Sequence, residues 1–372
     1  MNLAPSPAEA EVAARARALA TDLLAPRAVG RDRDERFPVE ELRELARARL
    51  LGVNIPAALG GAEAGALGYA LAIMEVARAD ASVAVAMAVT NMAAELIRVW
   101  GTPAQAERWV RPIVDGTHLC AAFALSEPQA GSDPAAMLTV ATPHGDGFRL
   151  RGTKQWITSG SHAGAFVIWA KTDPEAGVRG ISAFLVEKGA RGLGIGKAED
   201  KLGLRGSSTV QLHLEDVEVG SDALLGRPGD GFRIAMTALD GGRIGIGGQA
   251  VGIATAALEA ASRMTAVCGD DGAAQLLGDM ATWRDAARLL VLRAAWRKQT
   301  GVPFTREASI AKLYASERAS RICELALSLV GEEGARPERG LERLLRDARV
   351  TRIYEGTSEV QRIVVAREVF RS

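Results

Sequence analysis

Period-two runs are confined to the middle of this chain. Between residues 118 and 228 stand "GFRLRGTKQWIT", "AFVIWAKT", "ISAFLVEK" and "VQLHLEDVEV", each short and bounded by Gly, Asp or Pro. In the last run Val210, Leu212 and Leu214 alternate with Gln211, His213 and Glu215. That is the period of a half-buried strand, so His213 is expected to face solvent. On either side the pattern is helical: residues 6 to 117 are rich in Ala, Leu, Arg and Glu, and helical composition returns at 229 and runs to the end. Strands here do not alternate with helices, which argues against a doubly wound parallel sheet. The expected fold is mainly α with a small antiparallel β domain. Its parts are an N-terminal helical domain (1–117), a middle β domain (118–228) and a C-terminal helical domain (229–372).

In the first block, "PVEELRELARARLLGV" sets Leu42, Leu45, Ala46 and Leu50 near one face. "IPAALGGAEAG" is a Pro/Gly loop, and the nearly uncharged "ALGYALAIMEVARADASVAVAMAVTNMAAELI" after it is expected to be helix buried in a bundle. A length of 372 residues exceeds what one core usually organises, in line with two or three structural regions. The formal net charge is zero, which argues against a nucleic-acid or acidic-membrane partner. No apolar run approaches the roughly 20 residues that span a bilayer. The N-terminus lacks an apolar signal core, and Glu9 and Glu11 weigh against a transit peptide. Cys120, Cys268 and Cys323 are widely spaced, and His118, His144, His162 and His213 form no ligand pattern. The chain is expected to be reduced, cytoplasmic and free of metal.

Two glycine-rich stretches, "LDGGRIGIGGQAVGIA" and "GLGIG", lack the G-x-G-x-x-G spacing between a strand and a helix, so neither reads as a dinucleotide loop. "GLGIG" is expected to be a flexible strand end. The glycines of "GGRIGIGG" fall in a helix, where each costs about 1 kcal/mol against Ala. Several in one helix imply that something large packs closely on its backbone.

Near the C-terminus, "TRIYEGTSEVQRIVVAREVF" places Tyr354 and Glu355 before a Gly-Thr-Ser turn, and an amphipathic helix follows. Glu355 therefore lies at a break between helices, beside an aromatic ring. Spacing alone favours a solvated loop charge over a base held in a cleft. Three more stretches bear on that choice: "ALSEPQAGSDPAA" from Ala124, "KQWITSG" with Trp156, Ile157 and Thr158, and "LDGGR" with Asp240 and Arg243. Each alone reads as a turn, a core strand or a helix start. In this order and spacing, together with "IYEGTSEVQR", they resemble the acyl-CoA dehydrogenase family over essentially the whole chain.

The resemblance implies a C-terminal four-helix bundle, FAD as cofactor, and α,β-dehydrogenation of an acyl thioester to the trans-2-enoyl thioester. It implies that Phe123, Leu125, Ser126, Gly131 and Ser132 line the flavin, with Ser132 also near the thioester. Trp156, Ile157 and Thr158 would pack the isoalloxazine, and Thr357 and Glu359 would belong to a further flavin-contacting segment. Glu355 matches the catalytic base, while Asp240, Arg243, Tyr354 and Gly356 would border the substrate. Some family members take the base from the residue before the helix arginine; here that residue is Gly242, leaving Glu355 without a competitor. The small residues Ala84, Ala86 and Ala88 are expected to border the acyl chain. Implied partners are the acyl thioester, electron-transfer flavoprotein, and further subunits in a homodimer or homotetramer.

Two departures concern the distal half of FAD. Most members carry Arg-x-x-Phe-Gly after the arginine helix, whereas Ala257 to Met280 runs without it and "VCGDDG" (Val267 to Gly272) reads as a turn. The matching Gln-x-x-Gly-Gly is here "SLVGEEGA", with Ser328 for the glutamine and Glu332 for the second glycine. Three readings follow: an ordinary homo-oligomer with weaker FAD, the catalytic subunit of a hetero-oligomer with a related subunit, or non-redox thioester chemistry with little flavin. Each charge-assisted bond lost to pyrophosphate is worth roughly 1.5–3 kcal/mol. Losing two or three of them moves FAD affinity toward about micromolar. Titration of the apo-protein with FAD is expected to show that weak binding, and stoichiometric sub-nanomolar binding by the chain alone would contradict it.

Overall fold

The computed structural model describes residues 1–265 and 271–371. The first helical block comprises α1 (Pro7–Leu19), α2 (Ala25–Asp34), α3 (Val39–Arg47), α4 (Gly65–Ala79), α5 (Ala81–Trp100), α6 (Pro103–Gln105) and α7 (Arg111–Val114). The expected face of α3 is inward, with Leu42, Leu45 and Leu50 wholly buried. The long apolar stretch is two helices rather than one. Asp80 breaks it in an extended conformation, and its carboxylate caps α5 by accepting Ser82 N–H at 2.8 Å. Buried Arg31 on α2 bonds both Asp80 and Glu41 of α3, so one guanidinium joins three parts of the block.

One sequence expectation is corrected here. Ala81–Trp100 has a mean hydropathy of 1.4, and Gly231–Met264 one of 1.3, so both helices are long and apolar enough to cross a bilayer. Their windows are 83% and 72% buried within the fold, where protein rather than lipid covers them.

The middle block forms one eight-stranded sheet: β1 (Ala121–Ala124), β2 (Val140–His144), β3 (Gly147–Thr158), β4 (Ala165–Lys171), β5 (Ile181–Glu187), β6 (Leu193–Ala198), β7 (Thr209–Val219) and β8 (Leu224–Leu225). The order is β6-β7-β3-β2-β4-β5-β8, with β1 beside β4. The sheet is mixed rather than purely antiparallel, because β1 runs parallel to β4 and β2 meets β4 in parallel at Val140 and Lys171. The four runs read from sequence are β3, β4, β5 and β7. The strands that sequence did not show are short or lack alternation, as in "AAFA" of β1. Most of "GLGIG" lies in edge strand β6, where Gly194 sits opposite His213, and His213 is half-buried rather than open to solvent.

The last block holds α8 (Gly231–Thr265), α9 (Asp271–Gln299), α10 (Thr305–Val330), α11 (Glu332–Ala335), α12 (Leu341–Val350) and α13 (Ser358–Val369). Helix α10 packs against α8, α9, α12 and α13. Helix α12 is tied to both other blocks: Arg346 pairs with Asp32 of α2 at 2.6 Å, and buried Asp347 accepts Leu204 N–H at 2.6 Å. In α13 the apolar face expected from sequence is not turned inward, since Ile363, Val369 and Phe370 are exposed.

Helix α4 packs against Gly245, Gly248 and Gly252 of α8, while Gly247 meets α9 and α10. A Cβ on Gly252 would lie 2.5 Å from Met74 O and 2.8 Å from Arg78 N, and one on Gly245 would lie 2.4 Å from the Tyr69 hydroxyl. Gly252→Ala gains about 1 kcal/mol of helix propensity but overpacks against backbone, at about 1–3 kcal/mol. The second effect is expected to win, lowering the calorimetric Tm by a few degrees. An unchanged or raised Tm would show that the two helices have slack there.

Candidate active site

The chain leaves α12 and turns through two consecutive left-handed residues, Glu355 (φ 55°) and Gly356 (φ 89°), before Thr357 caps α13 by accepting Val360 N–H. A left-handed glutamate is unfavourable by about 1–2 kcal/mol, so its surroundings must hold it. They do so through carbonyls. Gln361 Nε2 donates to Glu355 O at 3.1 Å and Gly356 O at 3.0 Å, and Lys312 Nζ donates to Gly356 O at 2.6 Å. Ser358 N–H closes the turn on Arg352 O at 3.0 Å. Tyr354 donates to Gln249 on α8, which in turn donates to Ala81 O at 2.9 Å.

This turn presses the Glu355 carboxylate onto α8. A Cβ at Gly242 would stand 2.6 Å from Oε2 and 3.0 Å from Cδ, with Met92 Sδ at 3.1 Å. Oε2 is buried and has no hydrogen-bond partner. Burial pushes the Glu355 carboxyl up to about 7, against Arg243 and Lys312, which favour its charged form. Burial also brings the Lys312 ammonium down to about 8. The Arg243 guanidinium donates to Asp240 Oδ1 at 2.7 Å and Ser309 Oγ at 3.1 Å, and Thr305 donates to Asp240 Oδ2 at 2.5 Å. Desolvation raises Asp240 and lowers Arg243. Arg243 is thus enclosed at 5% exposure and faces Glu355 as a charge, with Nη1 bonded to Asp240 and Ser309 and Nε buried without a partner.

Sequence reasoning missed Lys312. The available signal was its place on an otherwise small, buried stripe of α10, among Ala308, Ala311, Ala315 and Ala319. A lysine at such a position asks for a partner.

The loop after β1 is fastened to β3 beneath it. Buried Lys154 donates to Glu127 Oε1 at 2.8 Å and Leu125 O at 3.3 Å, and Gln155 N–H donates to Ser126 O at 2.9 Å. Glu127 also accepts Leu138 N–H at 2.6 Å and Thr139 N–H at 3.1 Å, so Lys154 and these donors hold its carboxyl at about 2 despite burial. This buried pair was likewise not singled out from sequence. Immediately beyond it, β3 carries one extra residue against β7 between Lys154 and Ile157. The bulge turns Trp156 outward, left-handed (φ 62°) and 59% exposed.

The predicted flavin residues divide on burial. Gly131 and Ser132 are exposed, with open space around Gly131, while Ser126 and Thr158 are half-buried. Thr357 is half-buried and Glu359 exposed at the start of α13. Ile157 and Leu125 point into the core, at 1% and 6% exposure, which leaves their main chains as the groups open to a ligand. Phe123 packs on Trp169 with ring centroids 4.3 Å apart. Phe123 and Leu125 belong to the apolar cluster that includes Met92, which connects this loop with the Glu355 contact. A bare indole on a strained bulge, an open Gly-Ser loop and an unpartnered buried carboxylate oxygen are features that fit a flat ring system bound between the sheet and α8.

A cavity of about 160 Å³ adjoins Gly242 and Met92 and is lined further by Tyr69, Asn91, Leu96 and the Lys298–Glu95 ion pair. Ala84, Ala86 and Ala88 do not line it; they are buried in packing against the sheet and the first helices. The space lies along the later turns of α5. Of the shortened distal segment, residues 267–270 lie outside the described residues. In the other distal segment Gly331 ends α10 left-handed, and Ser328 and Glu332 are exposed.

Comparison with known proteins agrees with this architecture. Family models for the acyl-CoA dehydrogenase N-terminal, middle and C-terminal domains match residues 6–117, 122–217 and 229–370. The short-chain specific acyl-CoA dehydrogenase of Bos taurus mitochondria is 45% identical over 358 residues, covering 94% of this chain and 87% of that one. Butyryl-CoA dehydrogenase from Megasphaera elsdenii superimposes with a TM-score of 0.97 at 38% identity, covering all of both chains. A chain from the structure titled as the electron transferring flavoprotein of Acidaminococcus fermentans matches at a TM-score of 0.98 and 37% identity, again over all of both chains. By its three domains and its full-length relatives, the chain belongs to the acyl-CoA dehydrogenase family.

Proposed function

We propose that this chain dehydrogenates a short-chain acyl-CoA to the trans-2-enoyl-CoA, with Glu355 removing the α-proton. The observation that carries this reading is the Glu355 carboxylate, buried against Gly242 with Oε2 unpartnered and a pKa pushed up to about 7. A base with a pKa near the working pH combines availability with driving force. FAD, when bound, supplies the acceptor for the β-hydride, so that two electrons and one proton leave Cβ and Glu355 keeps the other proton.

The protein's own groups do the rest. Burial keeps water from levelling the carboxylate, Arg243 and Lys312 keep its charged form attainable, and the main-chain clamps fix its direction. Trp156, Thr158, Ser126, Gly131 and Ser132 are the residues that would hold the flavin ring. A cavity of about 160 Å³ supports a short acyl group, since a site of roughly that size takes a benzene-sized guest. The short-chain and butyryl relatives favour the same size class. Exposed Leu289, Ile363 and Phe370 support association with further copies. The Acidaminococcus relative supports an electron-transfer flavoprotein as the acceptor of electrons. Ser328 and Glu332, where the family has Gln and Gly, favour a second reading of the assembly in which a related subunit completes the distal FAD contact.

Glu355→Gln keeps the shape and removes the base. Anaerobic flavin bleaching by butyryl-CoA is expected to slow by on the order of 100-fold or more, with circular dichroism unchanged. Near wild-type bleaching would reject the assignment. Because the base must be deprotonated and its pKa is raised to about 7, kcat/KM is expected to rise with pH through that value and then level off. A limb near pH 4 to 5, typical of a solvated glutamate, would show that the carboxyl is not desolvated.

A further inference from the structure

We propose that Lys312 is the positioning residue of the base: its ammonium clamps the Gly356 carbonyl and, beside Arg243, adds a second positive charge that favours the ionised form of Glu355 in its buried site. The proposal rests on Glu355 acting as the base, and it concerns a residue that touches neither the carboxylate's proton nor the reacting carbons.

Lys312 is wholly buried on α10 among alanines, with Ser309 engaged by Arg243 and Ser316 bonded to Leu313 O. Burying a charge costs several kcal/mol unless it is compensated. The bond it makes, 2.6 Å to Gly356 O, falls on the turn that points Glu355 at α8. Gln361 holds the same carbonyl from the other side at 3.0 Å, so Gly356 O is gripped between α10 and α13. A neutral donor could serve as a clamp. The use of a cation calls for a second role, and the nearby charges provide one.

Around the site, α8 presents Asp240 and Arg243, α10 presents Lys312 and Glu317, and α13 presents Glu359. Tyr69 on α4, with Glu95 of α5 behind it, and Tyr354 on the turn itself also face Glu355. Lys298 of α9 and Glu368 of α13 act at one remove, through Asp240. Arg243 is bonded to Asp240, yet it is the stronger of the two cations that favour the charged form of Glu355, with Lys312 the second. Glu317 is likewise paired, with Arg352 at 3.0 Å. Lys312, by contrast, is bonded to a neutral carbonyl, and its charge remains to oppose that of Glu355. Removing it leaves Arg243, already bonded to Asp240, as the one cation favouring the charged form of the buried carboxylate.

Two substitutions separate clamp from charge. Lys312→Gln keeps a donor for Gly356 O and loses the charge; Lys312→Met loses both. In each, the acid limb of anaerobic flavin reduction is expected to move up by about one pH unit or more, the size typical of losing a close opposite charge. Below the limb this is a tenfold loss per unit. Above it, Gln is expected to stay within a few-fold of wild type while Met falls further. A second readout needs no turnover: infrared titration of the protonated carboxyl band that Glu355→Gln deletes should show the same upward shift in both variants. If Met does not fold, Gln alone carries the test. An unmoved infrared titration in folded Lys312→Gln would overturn the proposal, whatever the activity. Failure of Glu355 as the base would show separately, as bleaching that survives Glu355→Gln.

Discussion

A Cβ at residue 242 would fall 2.6 Å from Glu355 Oε2, so the carboxylate occupies the volume that any side chain there would need. The contact fixes much of what surrounds it. It forces α8 to carry glycine where a helix favours alanine. It requires the turn after α12 to hold a glutamate in the left-handed region, and it takes one carboxylate oxygen out of reach of water. An acid at 242 and an acid at 355 could not both occupy this site. The two places from which the resemblance draws a base are therefore alternatives by exclusion of volume, and Gly242 is consistent with the proposed use of Glu355.

Electrostatics at this contact is a contest of comparable effects. Desolvation of a buried carboxylate can raise its pKa by several units, and an opposite charge nearby lowers it by about one to three. Here two cations oppose burial, and burial still wins by a margin that leaves Glu355 at about 7. At Glu127 the balance falls the other way. Lys154 and two backbone N–H groups bond that carboxylate directly, and it stays at about 2 despite burial. The hydrogen bonds set the two carboxylates apart. Glu127 is fully satisfied and serves as a fixed post beneath the loop, whereas Glu355 is left with an open oxygen and can take a proton.

The segregation of helices from strands, the breaks at Gly356 and Thr357, and the site motifs were legible in the sequence, because they rest on local pattern and turn chemistry. Four of the strands and the parallel course of β1 were not, since "AAFA" carries no period and its pairing with Ala165–Ile168 is non-local. Asp80 could have been read as a cap inside the apolar stretch, but its burial beside Arg31 depends on a helix some fifty residues earlier. Lys312 and Lys154 escaped notice for a related reason. Each is a polar residue on a buried face, and what satisfies it (a carbonyl of a distant turn, a carboxylate of a distant loop) exists only once the chain has folded. Open space was expected too early on α5, at Ala84, Ala86 and Ala88, because small residues signal close helix packing as readily as they signal open space.

The two halves of the site obey opposite rules of construction, and that division suits the chemistry. The base needs a pKa near neutrality, and so it hangs from a turn buried between helices, where its charge is hard to form. A bound ring would need access, and Trp156 is turned out of β3 by a bulge that follows the buried Lys154–Glu127 pair. Such a pair is weak evidence for stability, but it fixes the loop and the bulge relative to each other. A helix alone could bury a carboxylate without presenting a flat aromatic face beside it, and a sheet edge alone could present the face without drying the base. Phe123, Leu125 and Met92 join the loop beside the platform to the contact that buries Glu355, the coupling that the proposed removal of a proton and a hydride from neighbouring carbons calls for.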